Sequence, residues 1–474
     1  GIGDSATQTE CSYCSNHEHH QFCPAFLFKK ALILNMNSLP LDFIKRIQAD
    51  TFVPDTLLAA LEQPAPTSVR LHPERNATFD NSSPVPWNAN GRYLDKRPAF
   101  TYDPLFHAGA YYPQEAGSMY LIQVLQTLEL PQNPVILDLS AAPGGKSTLI
   151  AGFLKHRGVL IANEINRSRA YILSENLSKW GYSNVFVSNH KPSELSALNG
   201  QLDVLVIDAP CSGEGMFRKD HQARAEWNTA NANVCAERQT NILNEVWPLL
   251  KEGAFLIYST CTFNPDENER QLQKLIEEGL AAKVTLPMFD GMKPDRSQIG
   301  YYFFPDQIKT EGFYIAALQK TETSSGKSKP IKIQLQKGLP PDLDIQISYP
   351  TGIEFWQEND RVFATTSFAL DFFHRIKNLK FLKTGVHLAT ANKKTWTPGY
   401  DMVYSLQLHW KLPLKHVELK EALQILHGES HQWLAEAGFY FVVYKEQKIA
   451  LIKQIGQRFN NMHPNEWRIR HLPK

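Results

Sequence analysis

Charge of a dominant sign is absent from this sequence: 49 Lys and Arg stand against 48 Asp and Glu, a formal net charge of +1. No global polycation advertises nucleic acid, so any such footprint must be local. Cysteine is scarce, six in 474 residues, and three of the six crowd at Cys11, Cys14 and Cys23. That excludes the dense disulfide framework of a small secreted domain and points to a reducing cytoplasm. Long apolar runs are also missing. The stretch "AFLFKKALIL" is broken by Lys29 and Lys30, is too short to span a bilayer, and follows no positive signal-peptide region. No membrane association is expected.

With 43% hydrophobic and 20% charged residues, the chain can bury more than one core, and its length suggests two to four domains. Residues 1–35 are polar and irregular and read as a disordered extension. Within them Cys11, Cys14, His17, His19, His20 and Cys23 supply zinc-type donors, but the loop that separates two ligand pairs is missing, and no metal is expected. A helical pattern, "SLPLDFIKRIQ", follows. From about residue 132 short β-rich runs alternate with helix-length segments: "NPVILDLS", "RGVLIANEI", "NVFVSNH", "LDVLVIDAP" and "GAFLIYSTCT". This is the pattern of an α/β, doubly wound parallel sheet. The run "EGFYIAALQK" is expected to close that domain, and "TETSSGKSKP" to be a linker.

Beyond the linker no second alternating series appears, and the chain turns aromatic and basic. Between Arg375 and Lys394 there are six Lys or Arg and no Asp or Glu, and the end, "QRFNNMHPNEWRIRHLPK", adds Phe459 and Trp467 to a basic run. Solvated surface charge explains such runs equally well; the interleaved aromatics favour nucleic acid.

The stretch "ILDLSAAPGGKSTLI" puts a Gly-containing turn between a strand and a helix, where backbone N–H groups can approach a polar ligand. It is not a phosphate-binding P-loop, because the position of that motif's first glycine is Ser140. Glu164, at the end of the next run, is placed to accept both ribose hydroxyls of an adenosine cofactor. The dinucleotide fingerprint G-x-G-x-x-G is absent, which favours S-adenosylmethionine over a nicotinamide cofactor. Two further runs each end in a cysteine, Cys211 in "VLVIDAPCSGEG" and Cys261 in "LIYSTCTFNPDEN". One such cysteine is ordinarily a small buried hydrophobe. Two beyond the carboxyl ends of strands, where open α/β sheets gather their chemistry, ask for a chemical role.

Together "AAPGGK", "DAPCSGEGMFRKD" and "YSTCT", in that order, resemble the Sun-type (Fmu/RsmF-like) family of S-adenosylmethionine-dependent RNA cytosine-5 methyltransferases, and most nearly its bacterial RsmF-like branch. The resemblance covers roughly residues 36 to 474. It implies a Rossmann-like methyltransferase domain over 126–322, an N-terminal RNA-binding domain over 36–125, a linker at 323–332, an intermediate domain over 333–396 and a PUA-like RNA-binding domain over 397–474. It also implies a monomer acting on small-subunit ribosomal RNA or on the subunit itself.

The resemblance assigns Cys261 as nucleophile and Cys211 to product release. Carbon 5 of cytosine is a poor nucleophile until a thiolate adds to carbon 6, and a second group must then assist proton loss and elimination. Asp208 is suited to hydrogen-bond the base; capping its own Asp-Ala-Pro turn is the plainer reading. Cofactor contacts are expected from Ser140, Ala141, Ala142, Pro143, Gly144, Gly145, Lys146, Glu164 and Asp208. Asn189 is expected to take the place of the family's third-strand Asp near the adenine. Arg218 and Lys219 are expected to meet phosphate or base, though a solvated pair fits as well, and Tyr111, Tyr112, Gln114 and Glu115 either border the target pocket or pack. A DNA cytosine-5 methyltransferase, using Cys211 as nucleophile, would leave "YSTCT" without a role; a catalytically silent RNA-binding assembly factor is the alternative from outside enzymology.

Overall fold

The computed structural model describes residues 39–321, 338–376, 378–393 and 395–473. The cysteine- and histidine-rich extension, the linker at 323–332, and Lys377 and Lys394 of the basic run lie outside the described residues. Among the described residues no helix is long and apolar enough to cross a membrane.

All six β-rich runs are strands: β1 (Val135–Asp138), β2 (Val159–Asn163), β3 (Val185–Ser188), β4 (Leu202–Asp208), β5 (Leu250–Thr260) and β6 (Phe313–Lys320). They lie in the order β6-β5-β4-β1-β2-β3. β1 to β5 run parallel and β6 antiparallel to β5. The almost continuous apolar sequence of these strands is what a sheet covered on both faces requires, and one core cluster packs on each face. The order reverses at β1, so the crevice where ligands gather opens beyond its carboxyl end.

The run "EGFYIAALQK" is not the edge of the sheet. Strands Gly300–Phe303 and Lys293–Pro294 continue it beyond β6. At the opposite edge β7 (Phe381–Thr384), from beyond the linker, pairs antiparallel with β3. Phe186 of β3 packs against Phe373 and Phe381, with ring centroids 5.5 and 5.7 Å away. An unpaired β3 would be an exposed apolar edge, and the later chain covers it. Beyond the linker, β7 and Phe373 thus pack directly on the sheet's edge.

Four shorter strands between Thr67 and Pro113 form a sheet beside the cofactor loop. Helix α1 (Leu41–Ala49) puts Phe43 edge-on to Phe217 and Trp227, joining the N-terminal segment to the main core. C-terminal to the linker lie a four-stranded antiparallel sheet between Ile353 and Pro398 and a second four-stranded sheet between Leu414 and Asn461.

Candidate active site

The loop after β1 is strapped from several sides. Ala141 N–H donates to Asn163 O at 2.8 Å, while Arg169 and Asn176, on helix α3 (Arg167–Trp180), donate to Ala142 O and Pro143 O at 2.8 and 2.7 Å. Arg70, from the N-terminal sheet, donates to Gly145 O at 3.1 Å. Gly144 has φ +118° and opens helix α2 (Gly145–Leu154), so the turn uses a backbone conformation that glycine adopts without strain. The cleft here is lined by Ser140 to Pro143, Gly145, Lys146 and Asp208, and by Tyr112, Gln114 and Glu115 from the N-terminal segment.

Lys146 projects from the first turn of α2 to Asp208, Nζ to Oδ2 at 2.9 Å. Burial works against its charge, but the Asp208 carboxylate outweighs that and holds the ammonium above its ordinary pKa. The other Asp208 oxygen accepts from Ser259 Oγ at 2.8 Å. Asp208 faces Ser259 in the parallel register of β4 and β5, so Cys211 and Cys261 leave the sheet at the same level. Their sulfurs are 3.2 Å apart. The contact with Cys261, and then burial, push the Cys211 thiol well above the usual range.

A family model described as 16S rRNA methyltransferase RsmB/F matches residues 125–319, and one described as the N-terminal domain of 16S rRNA methyltransferase RsmF matches residues 39–116. The chain belongs to the RsmF-like family. Among its relatives, the ribosomal RNA small subunit methyltransferase F of Erwinia tasmaniensis is 28% identical over 417 residues, covering 81% of this chain and 84% of the relative. The protein of the same name from Enterobacter sp. (strain 638) is 28% identical over 454 residues, covering 87% and 92%. The crystal structure of PH0851 aligns over 61% of this chain and 68% of its own with a TM-score of 0.52 at 19% identity, a likeness of fold.

The structure brings Cys211, Cys261, Asp208, Lys146 and the 140–145 loop together, and the other expected residues lie around them with protein partners of their own. Glu164, with a side chain 4% exposed, ends β2; it accepts from Asn166 N–H at 2.9 Å and stands 3.6 Å from the Arg169 guanidinium. It does not line the cleft described above. The Asn189 amide N–H groups donate to Glu164 O and Ile165 O at 2.6 and 2.9 Å, so they lock the turn after β2. Arg218 likewise meets backbone carbonyls. Its guanidinium donates to the carbonyls of Gln63, Pro64 and Thr310, bracing the N-terminal segment against the sheet domain. Lys219 pairs with Glu311 at 2.5 Å. Both are occupied by protein partners. Tyr112, Gln114 and Glu115 do border the cleft, whereas Tyr111 is buried and donates to Asp103.

Three buried carboxylates escaped the sequence reading. Burial pushes Asp138, at the end of β1, up to about 7, against the pull of its hydrogen bond from Ser147 Oγ at 2.6 Å. Glu214 accepts from Arg46, Trp227 and Phe263. Glu267 underlies both cysteine turns. The signal was present in "LDLS", "SGEGM" and "NPDEN", where acidic residues adjoin the motifs, but nothing local told a buried carboxylate from a solvated one.

Proposed function

We propose that the protein methylates carbon 5 of cytosine in small-subunit ribosomal RNA, with S-adenosylmethionine as donor, through a cysteine adduct. The observation that carries this reading is the pair of thiols 3.2 Å apart beside the Lys146–Asp208 ion pair. The residues present fit the cofactor. Among the described residues Asp138 Oδ1 is buried without a hydrogen-bond partner, an acceptor suited to a cationic donor; the backbone of the 140–145 loop and the buried Glu164 carboxylate offer further contacts. When bound, S-adenosylmethionine supplies an electrophilic methyl group.

The chain's own groups do the rest. Cys261, as thiolate, adds to carbon 6, which makes carbon 5 enamine-like. Asp208, fixed by Ser259 and Lys146, accepts a hydrogen bond from the base and steadies the adduct. After methylation carbon 5 must lose its proton and the Cys261–carbon 6 bond must break; Cys211, beside Cys261, assists that release. A DNA enzyme using Cys211 as nucleophile would leave Cys261 idle at 3.2 Å. The enzyme acts in the cytoplasm as a monomer, and the C-terminal PUA-like module and the N-terminal segment add RNA contacts. Mapping 5-methylcytosine in small-subunit ribosomal RNA from cells with and without the protein tests the substrate: at least one site disappears without it, and an unchanged map sinks the assignment.

A further inference from the structure

Two thiols in contact are chemically alike, and something must decide which one ionises. Glu267, 0% exposed, lies under both turns. Its oxygens accept from Ser212 N–H at 2.8 Å, Ser212 Oγ at 2.6 Å, Asn264 Nδ2 at 3.2 Å and Gln239 Nε2 at 3.3 Å. Burial raises the Glu267 pKa and the nearby Glu214 adds to that, while the donors from Ser212 and Asn264 oppose the shift; four donors converging on two oxygens favour the carboxylate, which accepts only. Ser212 Oγ also meets Thr262 Oγ1 at 3.0 Å, so the neighbour of each cysteine belongs to one network. Gln239 Nε2, from helix α4 (Thr229–Val246), further holds Pro210 O at 3.0 Å.

We propose that Glu267 is a positioning residue that makes the two thiols unequal: it ties the Cys211 turn to the Cys261 turn and sets a fixed negative charge against Cys211, so that Cys261 is the thiol that ionises. The proposal rests on the methyltransferase reading and adds to it the cause of the division of labour. The charged and titratable groups facing the pair support it. Lys146 interacts with Cys261, while Glu267 is among the groups that push Cys211 up. Asp208 is neutralised by Lys146. Tyr258, on β5, is itself pushed well up by burial and stays neutral. From α4, Cys235 is raised by burial and lies near Arg238, and both line, with Cys211, a second pocket distinct from the cofactor cleft.

The test is alkylation of the full-length protein by iodoacetamide across a pH series, with each modified cysteine located by peptide mass mapping. In the wild type Cys261 should be alkylated at lower pH than Cys211. Glu267→Gln should raise the Cys211 rate relative to Cys261 near neutral pH by on the order of tenfold, the change in thiolate fraction that one pKa unit gives. Glu267→Asp, which keeps the charge, should preserve the wild-type order. Cys211 reacting first in the wild type, an unchanged ratio in Glu267→Gln, or a parallel rise at both thiols from a merely loosened turn would each overturn the proposal. If Glu267→Gln does not fold, the wild-type order decides. Methyl transfer to RNA is assayed alongside: a wild type that transfers none sinks the methyltransferase reading while the thiol order is still read.

Discussion

At the scale of single residues, the two cysteines should fail in opposite ways. Cys261→Ala should form no covalent enzyme–RNA species, whereas Cys211→Ala should attack, stall at elimination and accumulate an adduct that survives denaturing electrophoresis; the reverse pattern would make Cys211 the nucleophile. Glu164→Ala should weaken S-adenosylmethionine binding by about 1–3 kcal/mol, the range for losing a charged hydrogen-bond partner, as calorimetry would show. Asp138 carries a pH signature. Its folded pKa, about 7, lies above the ordinary value of 3.8, so the native state holds a proton that the unfolded chain gives up. The associated stability is complete below about 3.8 and is lost as pH rises through about 7, on the order of 4 kcal/mol in all. Asp138→Asn should therefore gain stability relative to wild type between pH 4 and 7 in thermal melts. A constant difference over that window would show that Asp138 does not titrate there.

At the scale of elements, the turn from β1 into α2 depends on one backbone conformation. A side chain at Gly144 would find room, with Leu173 Cδ1 at 3.4 Å, but φ +118° is strained for an L residue. Gly144→Ala should cost about 1–2 kcal/mol of stability and weaken cofactor binding more than RNA binding. Equal loss of both affinities would point to general loosening. The alternation of strands and helices was legible in the sequence, because a fully buried strand is written as a short apolar run. The direction of the carboxylates and guanidiniums was not. "MFRKD" reads as a basic pair next to the motif, yet Arg218 reaches three carbonyls on chain segments 92 to 155 positions away.

At the scale of the whole molecule, the C-terminal region is built into the sheet domain, with Phe372, Ile376 and Leu379 in the core cluster on one face of the sheet. Arg75 adds a further tie, donating to Ala108 O, Lys179 O and Tyr404 O, which belong to the N-terminal, sheet and C-terminal segments. Truncation after residue 330 should therefore yield an aggregating protein with an exposed β3 edge. A soluble truncated sheet domain with unchanged cofactor affinity, measured by calorimetry after gel filtration, would contradict this.

The sequence by itself determined the parallel-sheet class, the cofactor turn and the two strand-end cysteines, because each is written in a few consecutive residues whose periodicity and turn chemistry are local. Only the tertiary structure decided that Cys211 and Cys261 touch, that Lys146 pairs with Asp208, that Asn189 and Arg218 donate to backbone carbonyls, and that β7 covers β3. Those outcomes depend on which distant segments become neighbours and on burial, which gives a carboxylate such as Asp138 or Glu267 properties that its place in the sequence does not carry.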